Sequence, residues 1–176
     1  DPNEIAYRIA RRRHIGVLDW GDPENMIFVM VGDGRNPEVA KRINRIKGRP
    51  QSQVLAVAGF ADLVGKLGEL YKSKDLHINK ESPQELVRKL FELPVGMIVP
   101  AKADTPDWVT TNELGQKKVM IAGQSHNPLM EYRDLFNQVV HILANEYDTF
   151  CAGTSANRAD KDIFTVYQQE EAYREL

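Results

Sequence analysis

Two cations one residue apart, Lys47 and Arg49 in "RIKGRP" at 45–50, are the residues of this chain best suited to gripping an anion. An arginine offers a phosphate or carboxylate two parallel donors, and a lysine adds a mobile point charge. Gly48 between them lets both side chains leave a bend instead of a regular helical turn. The same residues also read as an ordinary helix stop. Cations favour the carbonyl end of a helix, glycine leaves it and Pro50 blocks its return.

A second stretch able to do chemistry is "TSAN" at 154–157, which follows the apolar "FCAG". Small hydroxyl and amide residues at the end of a buried strand are placed to reach a ligand there, so Ser155 and Asn157 can donate to phosphate or ribose oxygens. A turn that satisfies its own backbone is the competing reading. Cys151 is a candidate nucleophile, although a lone cysteine in an apolar strand is more often a packed one. His14, His77, His126 and His141 share no metal-ligand spacing, and His141 falls within a helical stripe. "GDGRN" at 32–36 has too few glycines for a dinucleotide or P-loop fingerprint. Asp33 or Glu24 can bind Mg²⁺, but no spacing demands it, and no metal residue is assigned.

The charge around the first motif is lopsided. From Arg35 to Arg49 six cations (Arg35, Lys41, Arg42, Arg45, Lys47 and Arg49) accompany one acid, Glu38, in a chain whose net charge is −2. Arg8, Arg11, Arg12 and Arg13 add a second basic cluster, and acids gather in the last seventeen residues. Arg35, Lys41, Arg42 and Arg45 are therefore candidate RNA contacts, since a local cationic surface attracts phosphates whatever the total charge. A solvated helix face explains the same charges equally simply.

These groups must be positioned by elements that the hydrophobic pattern predicts. "NEIAYRIARRRH" reads as a helix with Ile5, Ala6 and Ile9 inward, followed by strands in "HIGVLDW" and "MIFVMV". Asn36 is an N-cap and Pro37 a first helical residue, opening a helix with Val39, Ile43 and Ile46 on one face. "SQVLAVAG" is the next strand, and "FADLVGKLGELYK" a helix weakened by Gly65 and Gly68. Ser82 and Glu85 form a capping box for "SPQELVRKLFEL". "PVGMIVPAKA" and "KKVMIAG" are strands joined by a polar stretch containing Trp108. A long amphipathic helix over 127–147 follows, then a buried strand in "DTFCAGTSAN" and a final strand and helix in "IFTVYQQEEAYREL". Strands and helices alternate without a strict βαβ rhythm. An open mixed α/β sheet with packed helices, in one domain spanning 1–176, is expected.

The totals restrict function without choosing one. An apolar fraction of 42% and a charged fraction of 27% are those of a globular domain, and 176 residues suffice for a core. One cysteine excludes an internal disulfide. No apolar run reaches the roughly 18 residues of a membrane span and no signal peptide is visible, so no membrane partner and a cytoplasmic location are expected. The chain opens on Asp1 instead of Met, which fits a trimmed chain.

Taken together, Lys47-Gly48-Arg49-Pro50 and Ser155-Ala156-Asn157 resemble the K-x-R and S-x-N motifs of the YrdC-like family, and the order of elements matches over nearly the whole chain. That family includes the threonylcarbamoyl-adenylate synthases that help make a modified adenosine in transfer RNA. The resemblance implies an open, twisted α/β sheet with a basic concave face, and a reaction using ATP, bicarbonate, threonine and Mg²⁺. It assigns Lys47 and Arg49 to phosphate or carbonate oxygens and Ser155 and Asn157 to the nucleotide.

Departures accompany it. Where the family has Pro-Thr-(Asp/Glu)-Thr-x-Tyr-Gly-Leu, this chain reads "PENMIFVM", keeping Pro23 and placing Phe28 at the tyrosine. Pro94 survives from a Gly-Pro-x-Thr segment with Gly96 at the threonine, Ala122 stands at a late arginine, and Val54-Leu55 replaces Pro-Leu. Each lost partner of a buried polar substrate costs about 1–3 kcal/mol. Three functions are therefore open. One is a divergent domain that binds an ATP-type nucleotide or double-stranded RNA, tRNA included, with the synthase reaction altered or lost. The second is an active ATP- and bicarbonate-dependent enzyme, a nucleotidyltransferase forming a carbamoyl adenylate on threonine or another amine, with Met26, Phe28 and Met30 reshaping specificity. The third is a protein-interaction scaffold whose basic helix docks an acidic partner.

Overall fold

The computed structural model describes residues 1–20, 27–70, 82–91, 96–123 and 135–156. The expected final strand and helix, Asn157, Pro23, Glu24, Met26, His77, Pro94 and His126 lie outside the described residues. In chain order the elements are α1 (Pro2–Arg12), β1 (Gly16–Trp20), β2 (Ile27–Asp33), α2 (Pro37–Ile46), β3 (Ala56–Gly59), α3 (Ala61–Leu67), α4 (Pro83–Leu90), β4 (Gly96–Pro100), β5 (Thr110–Glu113), β6 (Gln116–Gly123), α5 (Leu135–Glu146) and β7 (Cys151–Ser155).

The strands form one mixed sheet in the order β1-β2-β7-β3-β6-β4, with β5 paired to β6. Among the described strands only β3 and β6 run parallel; the other pairs are antiparallel. β7, late in the sequence, enters the middle of the sheet between β2 and β3, pairing Ser155 with Val29 and Gly153 with Ala56. Side chains alternate across a strand, so each strand feeds two cores. Val29, Val31 and Cys151 join Ala6 and Ile9 of α1 and Phe136, Val139 and Leu143 of α5 on one face. Met30, Val57 and Ala152 join Val39 and Ile43 of α2, Val64 of α3 and Val87 of α4 on the other. No described helix is long and apolar enough to cross a membrane.

Two expectations change. The polar stretch with Trp108 is not a plain connection. Thr110–Glu113 pairs with Gln116–Val119 as a hairpin whose two turn residues, Leu114 and Gly115, have φ of 52° and 78°. Two successive positive φ values match the right-handed twist of a hairpin. The side chains of β5, all polar and exposed in three of four residues, hid it from a hydrophobic pattern. In α2, Ile46 stays more than a third exposed, and Val39, Ile43 and Lys47 form the inward row. Four-residue steps keep a row on one helix face, and the step after Ile43 is Lys47.

Candidate anion-binding site

The end of α2 sets the geometry. Asn36 accepts a hydrogen bond from the Glu38 backbone N–H at 3.1 Å, and Pro37 opens the helix, as expected from their residue types. At the far end Gly48 turns left-handed with φ 67°. Its N–H donates to Arg45 O at 3.1 Å while the Arg49 N–H donates to Asn44 O at 2.8 Å, the paired bonds of a Schellman motif. "KGRP" is thus a helix stop in its backbone, and the stop is also what aims the two cationic side chains.

Both aim at β7. Lys47 Nζ donates to the backbone oxygen of Ser155 and lies 3.4 Å from Ser155 Oγ. Arg49 Nη2 donates to Thr154 Oγ1 at 2.8 Å. Residues more than a hundred positions apart therefore meet where β7 ends. Lys47 has 0% exposure, and burial, with help from the neighbouring Arg49 charge, pushes its pKa down to about 7. Arg49 is half-buried and its pKa is lowered by desolvation. A guanidinium has five N–H donors, so one bond to Thr154 leaves capacity for an anion.

Two residues important to this arrangement were not singled out by sequence. Thr154 lay inside "TSAN" but was passed over for Ser155. Asn44 is buried, and its Nδ2 donates to Gln51 O at 3.3 Å and Gln53 O at 2.6 Å, tying down the loop after Arg49. An asparagine among the apolar residues of a helix is the signal that would have marked it.

Beside Thr154 and Ser155 the α1/α5 face of the sheet holds a recess of about 290 Å³. Trp20, Val29, Val31, Met120, Ala122 and Phe136 contribute to its wall. Phe28 and Met30 are not part of it. Phe28 is buried against Val17 and Ala156, and Met30 packs under α2, because alternation along β2 sends Val29 and Val31 to the recess instead.

The other candidates separate. Lys41, Arg42 and Arg45 all lie exposed along α2. Lys41 pairs with Glu38 at 2.7 Å, and that contact, more than the charges of Arg45 and Arg13, holds the Glu38 carboxyl below its usual range. Arg42 Nη1 donates to Arg13 O at 3.0 Å, joining the basic end of α1 to this face. Arg35 is elsewhere. It pairs with Asp148 at 3.4 Å and lines a separate crevice with Lys66, Lys102 and Asp104, because it precedes α2 at the opposite end of β2. Cys151 is fully buried and its thiol is pushed up to about 12, chiefly by desolvation, which unfits it as a nucleophile. Asp33 caps the turn after β2, accepting from Arg35 N at 3.0 Å and from Thr149 Oγ1. His141 stacks on Phe60 with ring centroids 3.8 Å apart.

No protein-family model matches the sequence, and no curated protein does. Solved structures do. A substituted form of P. abyssi Sua5 superposes with a TM-score of 0.69 at 16% identity, over 99% of this chain and 45% of that one. P. abyssi Sua5 complexed with L-threonine gives 0.68 at 15%, over 98% and 43%. A protein of Methanobacterium thermoautotrophicum gives 0.61 at 18%, over 97% and 68%. The fold is YrdC-like. The chain spans less than half the length of the Sua5 chains it matches. Within the YrdC-like sheet, Gly96 and Ala122, which stand where the family resemblance expects threonine and arginine, are direct partners across β4 and β6. Ala122 lines the recess without a polar group to offer.

Proposed function

We propose that this YrdC-like domain binds a phosphate-bearing ligand at the end of β7, and that the threonylcarbamoyl-adenylate synthase reaction is altered or lost. The observation that carries this reading is the meeting of two cations from the end of α2 with Thr154 and Ser155. Arg49 has donors that no described residue takes up, and Lys47 adds positive potential from behind. Fixed donors in a partly desolvated site act on oxygen charge more strongly than the same groups in water. The absence of polar side chains at Gly96 and Ala122 weighs against threonine as a substrate, because the partners that the family resemblance expects at these two positions are missing.

An ATP-type nucleotide and double-stranded RNA both present suitable phosphates. For ATP, the residues at hand fit the phosphate chain: Arg49, Thr154 and Ser155 can bind and orient it. No cluster of three His, Cys, Asp or Glu side chains that could hold a metal occurs among the described residues. Mg²⁺, if used, would therefore be held mainly by phosphate oxygens and water, as this ion often is. For RNA, Lys41, Arg42 and Arg45 offer a surface that tracks backbone charge and shape.

The test is equilibrium binding of ATP and of a double-stranded RNA across a salt series. Arg49→Ala is expected to weaken phosphate binding by about tenfold or more, the value of one charge-assisted hydrogen bond. Affinity that ignores salt, or that is unchanged in both Lys47→Ala and Arg49→Ala, removes the phosphate reading.

A further inference from the structure

Next to the cationic rim lies a recess of a different character. Of its described lining residues only Thr154 and Ser155 bring hydroxyls, and both sit at the β7 end beside Arg49 and Lys47. The rest of the described wall is apolar and includes Val29, the cross-strand neighbour of Ser155, with Trp20, Val31, Met120, Ala122 and Phe136. Trp20 Nε1 is buried and has no hydrogen-bond partner among the described residues, so it presents no polar surface to the recess. At about 290 Å³ the recess is roughly twice the ~150 Å³ cavity that suffices to take up benzene. The apolar surface continues outward, since Met120 pairs directly with Ile98 on β4 and the two are 46% and 61% exposed.

We propose that this recess receives the apolar part of an organic phosphate ester, an aliphatic or aromatic group without hydrogen-bonding edges. The phosphate is held at Arg49, Thr154 and Ser155, so the proposal rests on the phosphate reading and narrows it. Charge complementarity fixes which end of the ligand goes where: among the described residues no cation lines the recess itself, and Arg49 and Lys47 meet its lining at Thr154 and Ser155. A nucleobase or a threonine side chain placed in this wall would bury donors and acceptors with nothing opposite them. A phenyl or butyl group loses nothing on entering and is removed from water.

Binding is measured for inorganic phosphate, phenyl phosphate, butyl phosphate, AMP and phenol, on the wild type and on Ala122→Leu. Ala122 is opposed across the sheet by Gly96, so a larger side chain has room while it reduces the recess. Phenyl and butyl phosphate are expected to bind about tenfold or more tightly than inorganic phosphate. Ala122→Leu is expected to erase that gain and leave inorganic phosphate and AMP within about twofold of the wild type. Met120→Gln, at an exposed position that folding tolerates, should reduce the same gain without filling the recess. Equal affinity for phosphate and phenyl phosphate overturns the proposal, as does a gain that survives Ala122→Leu, or a loss of AMP binding in that variant as large as the loss of phenyl phosphate. The two readings fail differently. If phenol binds the wild type but not Ala122→Leu while no phosphate compound outdoes it, the recess stands and the phosphate grip falls. Phosphate binding that no apolar group improves leaves the grip and removes the recess.

Discussion

Lys47 carries an ammonium group to a place with no exposed surface, and the consequence is a titration near neutral pH. Its ordinary value is 10.5, and burial lowers it to about 7 in the folded chain. Between those two values the unfolded chain holds a proton that the folded chain lacks. The contribution of Lys47 to stability therefore rises with pH through this window and is least favourable below about 7, where the folded state must bury the charge. In Lys47→Met the pH-dependent part disappears. Urea midpoints are expected to shift in favour of the wild type, relative to this variant, as pH climbs from 7 to 10. A difference that stays flat would show that the lysine titrates normally. An anion at the site would oppose the shift by stabilising the charged form, so phosphate should narrow the difference by raising the folded pKa.

At the scale of the element, the turn after α2 does what a helix stop does and also sets the directions of Lys47 and Arg49. Only Gly48 sits there with φ 67°, a region that costs a residue with a Cβ about 1 kcal/mol or more. Apart from the adjacent residues of the chain, no described atom lies within 4 Å of the position a Cβ would take, so Gly48→Ala tests backbone strain alone. Its stability is expected to fall by about 1 kcal/mol in chemical denaturation, with phosphate affinity falling further than in a variant equally destabilised elsewhere, such as Asn36→Ala at the other end of the same helix. A G48A protein with unaltered affinity would mean that the turn does not aim the cations. α2 also shows what a pattern of apolar residues can miss. Ile46 attracts the eye as the next inward residue after Ile43, yet a four-residue step gives the buried place to Lys47. The β5–β6 hairpin was missed for the converse reason. Thr111, Asn112 and Glu113 of β5 are polar and exposed, and the turn reads Leu-Gly instead of Asn-Gly.

Across the whole molecule the charge is divided by the fold, not by the sequence interval in which it was first noticed. Arg35 belongs to the interval 35–49 but to another crevice, whereas Arg13, far earlier, joins the α2 face through Arg42. Arg11 and Arg12 of the same α1 end lie over the rings of Tyr147 and Tyr7, at 5.4 and 5.8 Å from the centroids. Should this face track a nucleic-acid backbone, Lys41→Gln/Arg45→Gln is expected to make the salt dependence of double-stranded RNA binding shallower by about one to two in log–log slope, while the urea midpoint stays nearly unchanged. An unaltered slope would assign these cations to solvent. Arg35→Gln should leave the slope as it is.

The sequence by itself determined the helices with caps, the apolar strands, the mixed α/β class and the two motifs whose resemblance pointed to a YrdC-like fold. Those features are written in local spacing, because capping, turn chemistry and side-chain periodicity depend on neighbours a few residues away. Asn157 and Glu24 stay sequence expectations. Only the tertiary structure decided that β7 runs through the centre of the sheet, that Arg49 meets Thr154 and Lys47 meets Ser155, and that Val29 and Val31 instead of Phe28 and Met30 face the recess. Strand order and register bring together residues a hundred positions apart, and a one-residue change of register would send every side chain of β7 to the other face.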